Sequence, residues 1–396
     1  MEKTPVIRGF LLISLLLLLW APEASAQKKS KKVRCTVCLH DPELMQRNGV
    51  SHGPFPFGRS SSEEVQIDLL WDAVWLESAH FRFGLMLKSW KVPESERKAY
   101  RAELEALQEK YPAIKPKKAV LDPWLRAHLL VERSEAAYAK FLDLMGTSEA
   151  EFQDQKALTM KGLGPYLGMH EKFEIMVFID KEPFKEYMEK TWGLTYVKPQ
   201  RWNNVDRRCL WFGLNQEEEN IRHDQHLHNI VLHNIGHNML DGYQFYSYDL
   251  PVWITEGFAH WFERDNDPRF NMFDTVEGSF HEAKSLERWA PEVRKLVMKN
   301  EAASFSSLLR RASFAELGFE DHLVCWSKID FLIRTDKAKF GQFITTLKSR
   351  RNAQGLPDAS NMDGAQRQAF RDFYGWSLPQ LEEKWKAWVL DTYPLK

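Results

Sequence analysis

The sequence has almost no net charge. Its 54 lysines and arginines face 55 aspartates and glutamates, which leaves −1. That balance gives no basic face for a phosphate backbone and argues against nucleic acid as a partner. Cysteine is scarce, with four in 396 residues: Cys35, Cys38, Cys209 and Cys325. No internal repeat is visible, which removes solenoids and propellers from consideration. Beyond the N-terminal segment no stretch is apolar for long enough to span a bilayer. What is abundant is aromatic carbon, including 15 Trp and 25 Phe within a 44% hydrophobic composition. Such a chain has ample material for a packed core.

The N-terminus reads as an export signal. Lys3 and Arg8 precede an apolar run from Phe10 to Trp20, and Ala24-Ser25-Ala26 follows. This order matches a secretory signal cleaved after Ala26. The expected location is therefore secreted, periplasmic or in the cell envelope, with no membrane span left after cleavage. Export places the cysteines in a compartment that permits oxidation. Cys35-Thr36-Val37-Cys38-Leu39-His40, with His52 further on, offers zinc-type donors. Either a local disulfide or a second metal held by Cys35, Cys38 and His40 is expected there. Leu39 stands where covalent haem attachment needs histidine. No βαβ pattern suggests a thioredoxin-like site.

The remainder divides into a Cys-containing lead-in (27–62), an α+β region (63–270) and a mostly helical region (271–396). Strands are expected over 80–87, 172–179 and 208–213, where apolar residues alternate. Helices are expected over 94–111, from Asp122-Pro123 to the stop at Gly146, over 221–240, 321–334 and 337–348, and after the cap Ser377. Ser60-Ser61-Ser62-Glu63 marks a further helix start. The alternation of helices and strands gives an α+β fold class.

The most informative stretch is His233-Asn234-Ile235-Gly236-His237. Histidines at i and i+4 project from successive turns of a helix toward one point, as two zinc ligands require. Eighteen residues separate His237 from Glu256, which lies in Trp253-Ile254-Thr255-Glu256-Gly257-Phe258-Ala259. Thr255 is expected to cap a second helix, with Gly257 and Ala259 letting it approach the first closely. A carboxylate from Glu256 would complete a His₂Glu set with one open coordination position.

This HxxxH motif, its spacing and the W-x-x-E-G-x-A segment resemble the gluzincin zinc metallopeptidases, more narrowly the peptidase MA-like domain of exported bacterial proteins. The resemblance runs from about residue 80 to the end, closing on Gly375, Ser377, Leu381, Trp385 and Trp388. It implies a zincin-like α+β fold, with a small β-sheet subdomain and an active-site helix followed by a helical C-terminal subdomain. It also implies Zn²⁺ held by His233, His237 and Glu256. The family pattern has glutamate after the first histidine; here Asn234 takes that place. The family's glutamate moves a proton from bound water to the leaving amine, and an amide can do neither. The expectation is a degenerate, zinc-holding metallopeptidase that binds a peptide or protein. The alternatives are a peptidase with a substitute base, Glu263 first among the candidates, and a metal-free structural protein of the envelope. Asp241, one turn beyond His237, is a candidate to orient a ligand imidazole. Tyr243, Tyr246, Tyr248 and His322 are candidates to stabilise an oxyanion, and the acidic run 217–219 reads as a solvated loop.

Overall fold

A computed structural model describes residues 34–69, 72–152, 164–218, 220–273 and 287–395. The expected signal segment, the basic stretch 27–33 and Glu219 lie outside them. The described part is α+β, with a mixed six-stranded sheet and helices first and a mostly helical portion after it. Across the sheet the strands run Ser51–His52, Val74–Glu77, Phe81–Leu85, Phe173–Phe178, Cys209–Asn215 and Gln200–Asn204. Phe81–Leu85, Phe173–Phe178 and Cys209–Asn215 pair in parallel, and the remaining neighbours are antiparallel. The three expected strands are thus the parallel centre. Of the hairpin partners beside them, which the alternation did not reveal, Val74–Glu77 is short and Gln200–Asn204 is a half-exposed edge.

The central strand Phe173–Phe178 is buried at all six positions, as a strand covered on both faces must be. Phe173, Ile175 and Val177 join the main core, while Met176 and Phe178 pack with Phe55, Phe57, Phe184 and Trp211 on the other face. The one charge in that strand, Glu174, accepts a hydrogen bond from the Gly58 amide (2.9 Å) and forms an ion pair with Arg207 Nη1 (2.6 Å). Burial still pushes its carboxyl up to about 7.

The helices begin and end where local chemistry dictates. Asp122 accepts from the Leu125 amide at 3.1 Å, Pro123 opens Pro123–Met145, and Gly146 ends it with φ +60°. Ser61 and Glu64 form a reciprocal cap at Ser62–Leu69. Lys337–Lys348 falls on its expected limits, and Ser377 caps Leu378–Thr392. Asp41 with Pro42 starts a further short helix, Pro42–Arg47, within the lead-in.

Two helices carry the motif residues, Asp224–Gly242 (the His helix) and Val252–Asn266 (the Glu helix). The His helix lies on strand Cys209–Asn215, and the Glu helix is packed between the His helix and Phe319–Thr335. The two small residues of the Glu helix serve different neighbours. Ala259 meets Gly236 of the His helix, whereas Gly257 faces Cys325 and Ile329 of Phe319–Thr335. A Cβ on Gly257 would stand 2.6 Å from the Cys325 carbonyl oxygen, backbone that cannot move aside. Gly257→Ala should therefore cost about 1–3 kcal/mol. A Cβ on Gly236 finds its nearest atom at 3.4 Å, and alanine gains about 0.5–1 kcal/mol of helix preference. Gly236→Ala should be neutral or stabilising. Equal losses for both in urea unfolding would contradict this packing.

The His helix starts in a buried polar cluster. Asp224 accepts from Arg126 Nε at 2.6 Å and from the Tyr100 hydroxyl at 3.0 Å. One turn on, His228 sits with Nδ1 against Arg133 Nη1 and Nε2 3.5 Å from Asp224. Burial drives its imidazole down to about 3, with Asp224 opposing and Arg133 and Arg126 adding to the fall. Because the folded-state value is depressed, the unfolded chain binds the proton more readily below its ordinary 6.5. Stability should therefore be lost as pH falls through 6.5, by roughly 2 kcal/mol on reaching pH 5. Urea midpoints at both pH values should diverge in the wild type and diverge less in His228→Gln; an unchanged difference would sink the assignment.

Candidate metal centre

His233 and His237 lie one turn apart in the middle of the His helix, both fully buried. Their Nε2 atoms approach to 3.2 Å. Glu256 reaches them from the Glu helix, with Oε1 3.1 Å from His237 Nε2. Thr255 does not cap this helix. Helical geometry begins at Val252 after Pro251, whose fixed φ suits a helix entry, and Thr255 Oγ1 bonds back to the Val252 carbonyl at 3.1 Å. Glu256 thus stands in the second turn rather than the first.

The three donor atoms fit one ion. Tetrahedral ligands at zinc distances of about 2.0–2.1 Å lie about 3.3 Å from each other, close to the two edges of 3.2 and 3.1 Å. Burial, reinforced by His237 and His260, holds the His233 imidazole well below its ordinary range. It is therefore neutral, the form that donates a lone pair to a metal. The ion's identity does not follow from this geometry, since imidazole and carboxylate serve several transition metals.

Behind His233 the polar set continues. Glu263 Oε2 lies 3.2 Å from His233 Nδ1, and its Oε1 lies 2.6 Å from His260 Nδ1. The Met272 amide also donates to it at 3.0 Å. A carboxylate on the far nitrogen of a ligand imidazole fixes the ring and its tautomer. Burial pushes the Glu263 carboxyl well above its ordinary range. His260 Nε2 in turn lies 2.9 Å from His322 Nδ1 and 3.8 Å from Glu256 Oε2. Burial lowers His260 too, helped by His322. Four histidines and two glutamates thus form one buried network, and overlapping groups of three within it meet ligand spacing.

His237 and Asn234 line a cleft of about 710 Å³, together with Arg201, Asp241, Tyr246 and Arg310. Asn234 is held there from three sides. Its Oδ1 accepts from Arg201 Nη1 at 3.0 Å, and its Nδ2 donates to the Ile230 carbonyl (2.8 Å) and faces Met272 Sδ (3.0 Å). Arg201 comes from the edge strand Gln200–Asn204. The cleft therefore presents a neutral amide pinned by a cation beside His237.

The remaining candidates are spread more widely. Asp241 lines the cleft, and its backbone carbonyl accepts from Lys348 Nζ at 2.8 Å. Tyr243 bonds Thr345, and Tyr248 donates to the Leu347 carbonyl, both committed to helix packing. Glu217 accepts from the Lys181 amide and Glu218 pairs with Lys198. Cys35, Cys38, Cys209 and Cys325 are all buried and unbridged. His40 stacks on His52 at 4.3 Å, and it is His52 whose Nε2 touches Cys38 Sγ. From the sequence Arg201 is not a candidate, and His260 is placed on the helix face of Glu256 and Glu263 without being given a role. His260 carried a signal, since it shares a helix face with Glu256 and Glu263 at i+4 and i−3. Arg201 carried none, being 33 positions from its partner on an edge strand. Among the described residues no helix is long and apolar enough to cross a membrane. Compared with known protein families and with curated proteins, the chain matches none.

Proposed function

We propose that this chain is an exported, gluzincin-like protein that holds zinc through His233, His237 and Glu256 and has lost peptide hydrolysis, keeping the cleft for binding a peptide or protein. What carries the reading is one juxtaposition. Three buried donors converge at edges of 3.1 and 3.2 Å, and the cleft position beside them holds an amide. When bound, the metal supplies Lewis acidity toward a carbonyl oxygen. The protein's own residues do the rest. Glu263 orients His233, and the Glu helix brings Glu256 to His237. Asn234 accepts a hydrogen bond from Arg201 but has no site for a proton to be taken up and passed on.

The substitute-base alternative is disfavoured by position. Glu263 is fully buried between His233 and His260 and is absent from the cleft lining. Metal content of protein purified without chelator, joined to a cleavage screen over a diverse peptide mixture, tests the proposal. Zinc bound in a His237-dependent way with no chelator-sensitive cleavage is the expected result. Protein that takes up no metal would leave the structural, metal-free reading standing instead.

A further inference from the structure

A second set of zinc-type donors gathers near the start of the described chain. Cys35 and Cys38 are fully buried. The turn that carries them aims backbone donors at the sulfurs. The Val37 and Cys38 amides each lie 3.4 Å from Cys35 Sγ, and the His40 amide serves Cys38. Two imidazoles arrive from elsewhere in the fold. His52 Nε2 is 3.0 Å from Cys38 Sγ, and His128 Nε2 is 3.5 Å from Cys35 Sγ. The donor atoms of Cys35, Cys38 and His52 all lie within 4.8 Å of one another.

Sulfur and nitrogen ligands of a tetrahedral zinc ion sit about 3.6 Å apart. The His128 edge already has that length, and the His52 edge must open by about 0.5 Å. The surroundings hold the donors in place. His40 stacks flat on His52, Trp124 meets the same ring edge-on at 4.9 Å, and Thr36 donates to Asp122 Oδ1 at 2.9 Å. A disulfide would need neither histidine, whereas here each sulfur has an imidazole beside it.

We propose that Cys35, Cys38, His52 and His128 bind a structural zinc ion that fastens the lead-in to helix Pro123–Met145. Four protein ligands close the coordination sphere, so the site holds no reactive position. Its ligands are 93 positions apart at the extremes, and the metal acts as a crosslink between the lead-in and a long core helix. This site is independent of the His233–His237–Glu256 centre.

The test counts metal in the full chain, purified with reductant and without chelator. Cys35→Ser/Cys38→Ser should lose one zinc equivalent that His237→Ala retains, and combining them should remove both. His128→Ala should lose the same equivalent, while His40→Ala keeps it. Cobalt-loaded His237→Ala keeps the lead-in folded as it is and should show a sulfur-to-cobalt charge-transfer band in the near ultraviolet. Absence of that band overturns the proposal even if the cysteine variants fail to fold. So does an intact mass two hydrogens lower without reductant, which means a disulfide. Loss of zinc in His40→Ala but not in His128→Ala overturns the ligand set. None of these outcomes touches the equivalent held by His237, so the two centres fail or stand separately.

Discussion

Asn234→Glu combined with Arg201→Gln should produce measurable, zinc-dependent peptide hydrolysis where the wild type is expected to show none. The wild-type cleft has a neutral amide beside the ligand His237, and a missing general acid–base costs about 10²- to 10⁴-fold in rate. Introducing the carboxylate alone falls short, because Arg201 Nη1 already sits 3.0 Å from the Asn234 oxygen. A glutamate there would pair with the guanidinium, which lowers its basicity and draws it off the reacting water. The double variant removes that competitor while leaving glutamine to occupy the space. Expected activity therefore rises from wild type through Asn234→Glu to the pair, and 1,10-phenanthroline abolishes it. Robust chelator-sensitive hydrolysis by the wild type would refute the loss of catalysis outright. A single variant as active as the pair would show that Arg201 does not restrain the position.

Zinc should raise the melting temperature of the wild type, and His237→Ala should remove the part of that rise owed to the motif centre. A ligand bound only by the folded chain stabilises it by mass action, about 2.7 kcal/mol at a free concentration one hundred times Kd. His237 touches both other ligand atoms, at 3.2 and 3.1 Å, so its loss opens two edges of the set at once. The variant also relieves two imidazoles crowded together in a dry interior. Its metal-free form should therefore be no less stable than the metal-free wild type by more than the packing lost with the ring. Differential scanning at several zinc concentrations separates the two contributions. An identical zinc response in wild type and His237→Ala would place all of the metal elsewhere and sink the motif centre.

Much of this protein is settled along the chain itself. Hydrophobic alternation in Phe173–Phe178 marks a strand, although only packing covers both of its faces. Asp122-Pro123 and Gly146 fix the limits of a long helix, and i,i+4 spacing puts His233 and His237 on one face. These are local effects, since a cap, a proline or a helical period acts over a few residues and is written there. The amide at Asn234 is equally plain, because it limits what that side chain can do with a proton.

Tertiary structure alone decided the rest. Thr255 looks like a cap, yet Pro251 starts the helix earlier and carries Glu256 into its second turn. Gly257 is small for the sake of Phe319–Thr335 rather than the His helix, because the Glu helix is packed on both sides. Arg201 reaches Asn234, His128 reaches Cys35, and Glu263 turns inward to His233 and His260 instead of facing the cleft. Each of those pairings depends on how sheet and helices stack, which no spacing within a single segment encodes. Periodicity states which side of a helix a residue occupies, and only packing states what waits on that side.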